Sequence, residues 1–542
     1  MRLKHLAALL ALAGCSPAPA QPPAPPRLIV AISVDQLSAD LFAEYRQHFT
    51  GGLRRLSEGA VFPAGYQSHA ATETCPGHST ILTGARPART GIVANNWTDL
   101  GAARADKYIY CAEDERVAGS DSDHYTVSPV HLRVPALGDL MRRADPRSRV
   151  VAVAGKDRAA VMMGGHDPNE RWWWSGGGFV SHAGHAVPGA VAGINDQVAG
   201  QIGAAREAAA LPPLCATRSQ AVAAGSGRSV GDGRFARASG DADAFRASPE
   251  FDNAILALAR QLRADMRLGQ GPATDLLAIG LSATDYVGHR YGTQGSEMCL
   301  QMLALDRALD QFFEALDRAG IDYAVVLTAD HGGLDLPERA RLQGMPDAAR
   351  VDPALRANAM NDALAARLGL TGRILYGDGP FGDMYVTRAV PEPVRARILG
   401  AAIAAYRGHP QVAAVFTRAE IAAAPSPTGP PDAWSLLQRA RASFDPQRSG
   451  DFYVMLRPLV TPIASPGASG AVATHGSPWD YDRRVPILFW RRGLAGFEQP
   501  IAVETVDIMP SLAALIGLPL ARGSVDGRCL DLVAGPESSC PR

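Results

Sequence analysis

The sequence predicts an α/β fold on a mainly parallel central sheet, with an α+β subdomain inserted late in the chain. Two observations carry this. Four apolar runs rich in β-branched residues (Leu28–Val34, Arg149–Ala154, Asp275–Gly280 and Tyr323–Thr328) are nearly continuous rather than alternating, as strands covered on both faces require. From Leu334 to about Pro466 the chain then changes to short strands, Pro-rich joints and two helix-like stretches.

The 542 residues are enough for one large α/β domain with insertions or for two to four ordinary domains. With 53 basic and 54 acidic residues the net charge is -1, so no global field draws the chain toward nucleic acid, and no nucleic-acid partner is expected. Residues 1–26 read as a targeting segment and Pro-rich tether. Met1–His5 carries positive charge, and Leu6–Ala13 is apolar but too short to span a bilayer as a mature helix. Leu12-Ala13-Gly14-Cys15 resembles a bacterial lipobox, which gives a lipid anchor at Cys15. Ordinary cleavage within Ser16–Ala20 is the alternative. Either way export to the periplasm or cell envelope is expected. The six other cysteines suggest disulfides. Many connectivities are open to them; the sequential guess is Cys75–Cys111, Cys215–Cys299 and Cys529–Cys540. They lack zinc-knuckle spacing.

Taken in order, the first strand ends in Asp35, where open α/β sheets bind ligands, and Ser38–Tyr45 looks helical, so Asp35 also reads as a helix cap. Ala71–Thr80 follows. Polar residues, Pro76-Gly77 and then Ile81-Leu82 predict a loop running into a helix that extends to about Thr83. The free N–H groups of such a helix favour an anion, and the Thr74 hydroxyl could attack phosphorus if a metal ion lowered its pKa. Asn95 and Asn96 come after a short apolar strand and offer amide donors, although such pairs are commonly turn residues.

The second buried strand leads into Gly155-Lys156-Asp157-Arg158. Lys156 and Arg158 can both reach one oxyanion if the backbone turns there. Trp172–Trp174 with Ser175–Gly178 reads as a packed hairpin, residues 201 to 247 as a peripheral insertion, and Asn253–Arg267 as a core helix. After the third strand, Asp285 and His289 are four apart, on one face of a helix and suited to a shared metal. After the fourth come Asp330, His331 and a Gly pair that lets the backbone turn. Within the inserted stretch, Arg356–Leu368 and Pro391–Arg407 read as helices. Past it come Ala473-Thr474-His475, a last strand at Val485–Trp490 and a closing helix at Val506–Leu515.

Asp35, Asp285, His289, Asp330, His331 and His475 make three carboxylates and three imidazoles. That donor set suits zinc and is large enough for two ions with Thr74 or substrate completing it. Two ions about 4 Å apart stabilise the attacking and leaving oxygens of an in-line phosphoryl displacement.

These residues resemble the alkaline phosphatase superfamily, and most closely its PafA-like bacterial members, which have a Thr nucleophile and a Lys-x-Arg pair. The resemblance runs from Leu28 to about Leu520. It implies a three-layer sandwich, with the core at 27–333 and 467–535 and the α+β insertion at 334–466. It implies one Zn2+ at Asp35, Asp330, His331 and Thr74, and a second at Asp285, His289 and His475. Thr74 would form a phosphothreonine, while Asn95, in preference to Asn96, would bind phosphoryl oxygens together with Lys156 and Arg158.

Sulfatase relatives carry a modified Cys where Thr74 stands and an Arg where His78 stands, which argues against a sulfatase. Magnesium-site phosphatases show a Ser nucleophile pattern absent here. Nucleotide pyrophosphatase/phosphodiesterase relatives lack the Lys-x-Arg pair, so a phosphate monoesterase, acting as a monomer, is the expected function. A phosphodiesterase or phosphonate hydrolase on the same scaffold and a metal-dependent binding lipoprotein are the alternatives.

Overall fold

The computed structural model describes residues 24–467, 470–535 and 538–541. Cys15 and the lipobox lie outside them. The central sheet has ten strands: β1 (Leu28–Val34), β2 (Ala60–Tyr66), β3 (Val150–Ala154), β4 (Glu170–Ser175), β5 (Gly178–Val180), β6 (Asp275–Leu281), β7 (Tyr323–Thr328), β8 (Arg484–Arg491), β9 (Phe497–Glu498) and β10 (Val503–Glu504). Their order is β9-β2-β8-β7-β1-β6-β3-β4-β5, with β10 also on β2. β7, β1, β6, β3 and β4 run parallel. β8 enters antiparallel between β7 and β2, a reversal its apolar run did not announce.

The helices that frame the core and the site are α1 (Thr74–Ile81), α2 (Leu137–Ala144), α3 (Asp157–Gly164), α4 (Pro249–Asp265), α5 (Ala283–Tyr291), α6 (Ser296–Arg318) and α7 (Ile508–Leu515). Side chains on β1 alternate between two cores. Leu28, Val30, Ile32 and Val34 pack with α4 and α6, whereas Ile29 and Ala31 pack with α2 and α7. Helices on both faces explain why these strands are apolar at every position, and they make the fold three-layered. A separate four-stranded antiparallel sheet (Leu375–Tyr376, Gly382–Val386, Val412–Thr417, Phe452–Leu456) has its own core around Met384, Tyr406 and Val454.

Cys75–Cys111, Cys215–Cys299 and Cys529–Cys540 are disulfide-bonded, with Cα separations of 6.5, 5.4 and 5.8 Å. No helix among the described residues is long and apolar enough to cross a membrane.

Candidate active site

Four neighbouring parallel strands, β3, β6, β1 and β7, end on the same edge of the sheet. Lys156 follows β3, Asp285 follows β6 on α5, Asp35 follows β1, and Asp330 and His331 follow β7. Residues far apart in the chain therefore converge where parallel strands leave their carboxyl ends open.

α1 begins at Thr74 itself, seven residues before the apolar pair Ile81-Leu82. Pro76 fits inside the first turn, where no intrahelical N–H is needed, so the helix absorbs the loop expected there. Gly77 allows its close approach, since a Cβ there would lie 2.0 Å from the Asp330 carbonyl oxygen. His78, on the next turn, donates from Nδ1 to the Thr74 carbonyl at 2.9 Å and lies 3.1 Å from Asp330 Oδ2.

Lys156 Nζ is 2.5 Å from Asp35 Oδ2, 2.6 Å from Asp285 Oδ2 and 3.5 Å from Thr74 Oγ1. Arg158 Nη2 reaches the same Thr74 oxygen at 3.5 Å. Its other arm donates to the Tyr110 hydroxyl, which is fixed in turn on Asp157. The two cations thus meet at one hydroxyl.

His331 Nε2 stands 3.3 Å from both Asp35 and Asp330, while His289 and His475 approach Asp285 Oδ1 at 3.1 and 3.5 Å. Each of these imidazoles donates from Nδ1 to a backbone carbonyl at 2.9 Å: His331 to Gly332, His289 to Ala473, His475 to Thr72. That leaves every Nε2 directed inward, the arrangement that orients a ligating imidazole. Gln36, at φ 68°, donates its backbone N–H to Asp330 and its amide to Asp285, both at 3.1 Å.

Burial and the charges of Asp285 and Asp330 raise the Asp35 carboxyl. Burial works against Asp330 as well, but the charges of His331 and His78 hold it well below the usual carboxylate range. His331 is carried up to about 9, because Asp330 outweighs the burial that opposes its charge. Burial, then His331, push His475 down to about 3.

Four buried ligand-type atoms of the cluster, His331 Nε2, Asp330 Oδ2 and both carboxylate oxygens of Asp35, make no well-formed hydrogen bond and are met only by ion-pair contacts to one another and to His78 and Lys156. The donor atoms of Asp35, Asp330 and His331 lie within 4.8 Å of one another, as do those of Asp285, His331 and His475. Inward-facing imidazole N and carboxylate O donors at this spacing fit zinc. His331 stands in both groups, and its ring stacks on His475 at 3.5 Å between centroids. His289 joins through Asp285 and lies beside the His475 ring, 5.1 Å between centroids.

Asn95 sits against the start of α1, whereas Asn96 opens the strand Asn96–Thr98 and donates to Asp378 at 3.1 Å, away from Thr74. The residues before them, Ile92–Ala94, form no strand. Glu73 and Asp252 escaped the sequence reading. Glu73 accepts the Asn95 N–H at 2.6 Å, and burial pushes its carboxyl up to about 7 against that bond. Asp252, on α4, accepts from Ala283 N at 2.9 Å and so caps the helix that carries Asp285 and His289.

A hydroxyl at a helix N-terminus, two cations beside it and a buried set of metal-type donors on this sheet define an alkaline phosphatase-like hydrolase. The sequence profile of the type I phosphodiesterase / nucleotide pyrophosphatase family matches residues 29–478. The chain belongs to that family, in its PafA-like bacterial alkaline phosphatase branch. Alkaline phosphatase PhoK of a Sphingomonas species is 57% identical over 99% of both chains. Alkaline phosphatase PhoD of Zymomonas mobilis is 51% identical, over 95% of this chain and 89% of its own. The crystal structure of wild-type alkaline phosphatase PafA superposes with a TM-score of 0.81 at 25% identity, over 94% of this chain and 99% of that one.

Proposed function

We propose that this chain hydrolyses phosphate monoesters in two steps through a phosphothreonine at Thr74, releasing inorganic phosphate. It is a phosphoric monoester hydrolase of the alkaline phosphatase type, as its relatives' names support. The observation that carries the reading is the meeting of Lys156 and Arg158 at Thr74 Oγ1, each 3.5 Å away. A monoester dianion brings one more negative charge than a diester, and a point charge plus a planar fork matches it.

Asp35, Asp330 and His331 would hold one zinc ion, and Asp285, His289 and His475 a second. Bound there, the metal supplies Lewis acidity toward the reacting oxygens. The side chains do the rest. Lys156, Arg158 and Asn95 bind and orient the phosphoryl oxygens. Thr74 Oγ1 takes the phosphoryl group as the alcohol departs, and water then cleaves the phosphothreonine from the vacated side. The N-terminal charge and apolar run support export, with Cys15 as a candidate lipid anchor.

The family's description favours a second reading, a phosphodiesterase on the same scaffold. Rates on an aryl phosphate monoester and on the matching diester separate the two. A monoester preference is expected; a diester preference would replace the first reading with the second.

A further inference from the structure

Three of the four polar groups of Asn95 are hydrogen-bonded, two of them to residues at the start of α1 and the third to Cys111. The Asn95 backbone N–H donates to Glu73 Oε2 at 2.6 Å, its Oδ1 accepts from Cys75 N at 2.8 Å, and its carbonyl accepts from Cys111 N at 2.9 Å. Cys75 and Cys111 are themselves joined by a disulfide. Two of the partners, Glu73 and Cys75, flank Thr74 directly.

The orientation of the amide follows from this. Cys75 N can only donate, so the atom facing it must be the oxygen, and Nδ2 points the other way. Nδ2 is the one polar group of Asn95 with no hydrogen bond among the described residues. Glu73 keeps its acceptor role whether or not its carboxyl is protonated, because the carbonyl oxygen of the acid accepts as the carboxylate does.

We infer that Glu73 is a positioning residue: with the Cys75–Cys111 disulfide it clasps Asn95, so that the remaining Nδ2 donor is held at the turn carrying Thr74. This rests on the reading that Asn95 binds a phosphoryl oxygen. The clasp makes a specific statement about coupling, because Glu73 matters to catalysis only while Asn95 has an amide to place.

The test is a double-mutant cycle on the full-length, zinc-loaded protein, read as kcat/KM for an aryl phosphate monoester, with zinc content and melting temperature measured on every variant. Asn95→Ala should cost about 100-fold, as loss of one oxyanion donor does. Glu73→Ala should cost about 10-fold, in the range for removing an outer partner. Glu73→Gln, whose amide oxygen accepts the same bond, should stay within about threefold of wild type. In the Asn95→Ala background Glu73→Ala should cost less than about twofold more. Cys75→Ser with Cys111→Ser should follow the same pattern, losing rate only while Asn95 is present. Equal losses from Glu73→Ala in both backgrounds would overturn the clasp and leave the phosphate-binding reading standing. Wild-type activity in Asn95→Ala would overturn that reading and the clasp with it.

Discussion

Lys156 Nζ lies 2.6 Å from Asp285 Oδ2. The same ammonium is 2.5 Å from Asp35 and 3.5 Å from the Thr74 hydroxyl, so one cation serves both the donor cluster and the nucleophile. Asp35, Asp285 and Asp330 are all buried, and no other Lys or Arg pairs with them among the described residues. Removing one partner of a buried pair costs about 3–5 kcal/mol. Lys156→Met should therefore lower the melting temperature of chelator-treated protein much more than that of zinc-loaded protein, where the metal balances the same carboxylates. Equal shifts in the two states would contradict this.

The donor geometry makes metal content a second test. His289→Ala and Asp330→Asn fall in different proposed groups, and each should lower bound zinc from about two to about one equivalent per chain by elemental analysis. His331→Ala should lower it at least as far, because His331 is assigned to the first ion and also stands within the Asp285–His475 group. Full retention in the His331 variant would contradict the shared position.

Lys156 and Arg158 should discriminate between substrates. Hydrogen bonds to charged groups are worth about 1.5–3 kcal/mol each. Replacing both residues by Ala should lower monoester kcat/KM by at least about 100-fold on that basis, and diester kcat/KM clearly less. Equal losses would remove the charge argument for monoester preference.

The framework of the site was legible because it is local. Asp35, Asp285, Asp330 and Lys156 each follow an apolar strand within a few residues, and Gly332-Gly333 marks the turn after His331. The helix α1 starts earlier than Pro76-Gly77 suggests in isolation, because a first-turn Pro needs no intrahelical N–H and Gly77 permits close approach to Asp330. Glu73, His78 and Asp252 were not read as part of the site for a different reason. Their partners are Asn95, Asp330 and Ala283, and no periodicity or motif relates positions so far apart.

Asp252 yields a pH prediction. Burial raises its carboxyl from 3.8 to about 7, against the bonds it accepts from Ala283 and Gln301. The folded protein therefore keeps a proton that the unfolded chain releases near pH 4. The stability this group contributes is full below that pH and is lost as pH rises toward about 7. Denaturant melts of wild type and Asp252→Asn, both metal-free, should show wild type losing ground across that window. A pH-independent difference would contradict the assignment.

The central claim is that Thr74 carries the phosphoryl group. It is tested most directly by acid-quenching the zinc-loaded enzyme during turnover of an aryl phosphate and mapping its peptides by mass spectrometry. The expected result is a phosphoryl group on Thr74, with Thr74→Ala showing neither the modification nor turnover. Continued turnover by Thr74→Ala, or a phosphoryl group trapped on another residue, would contradict the account.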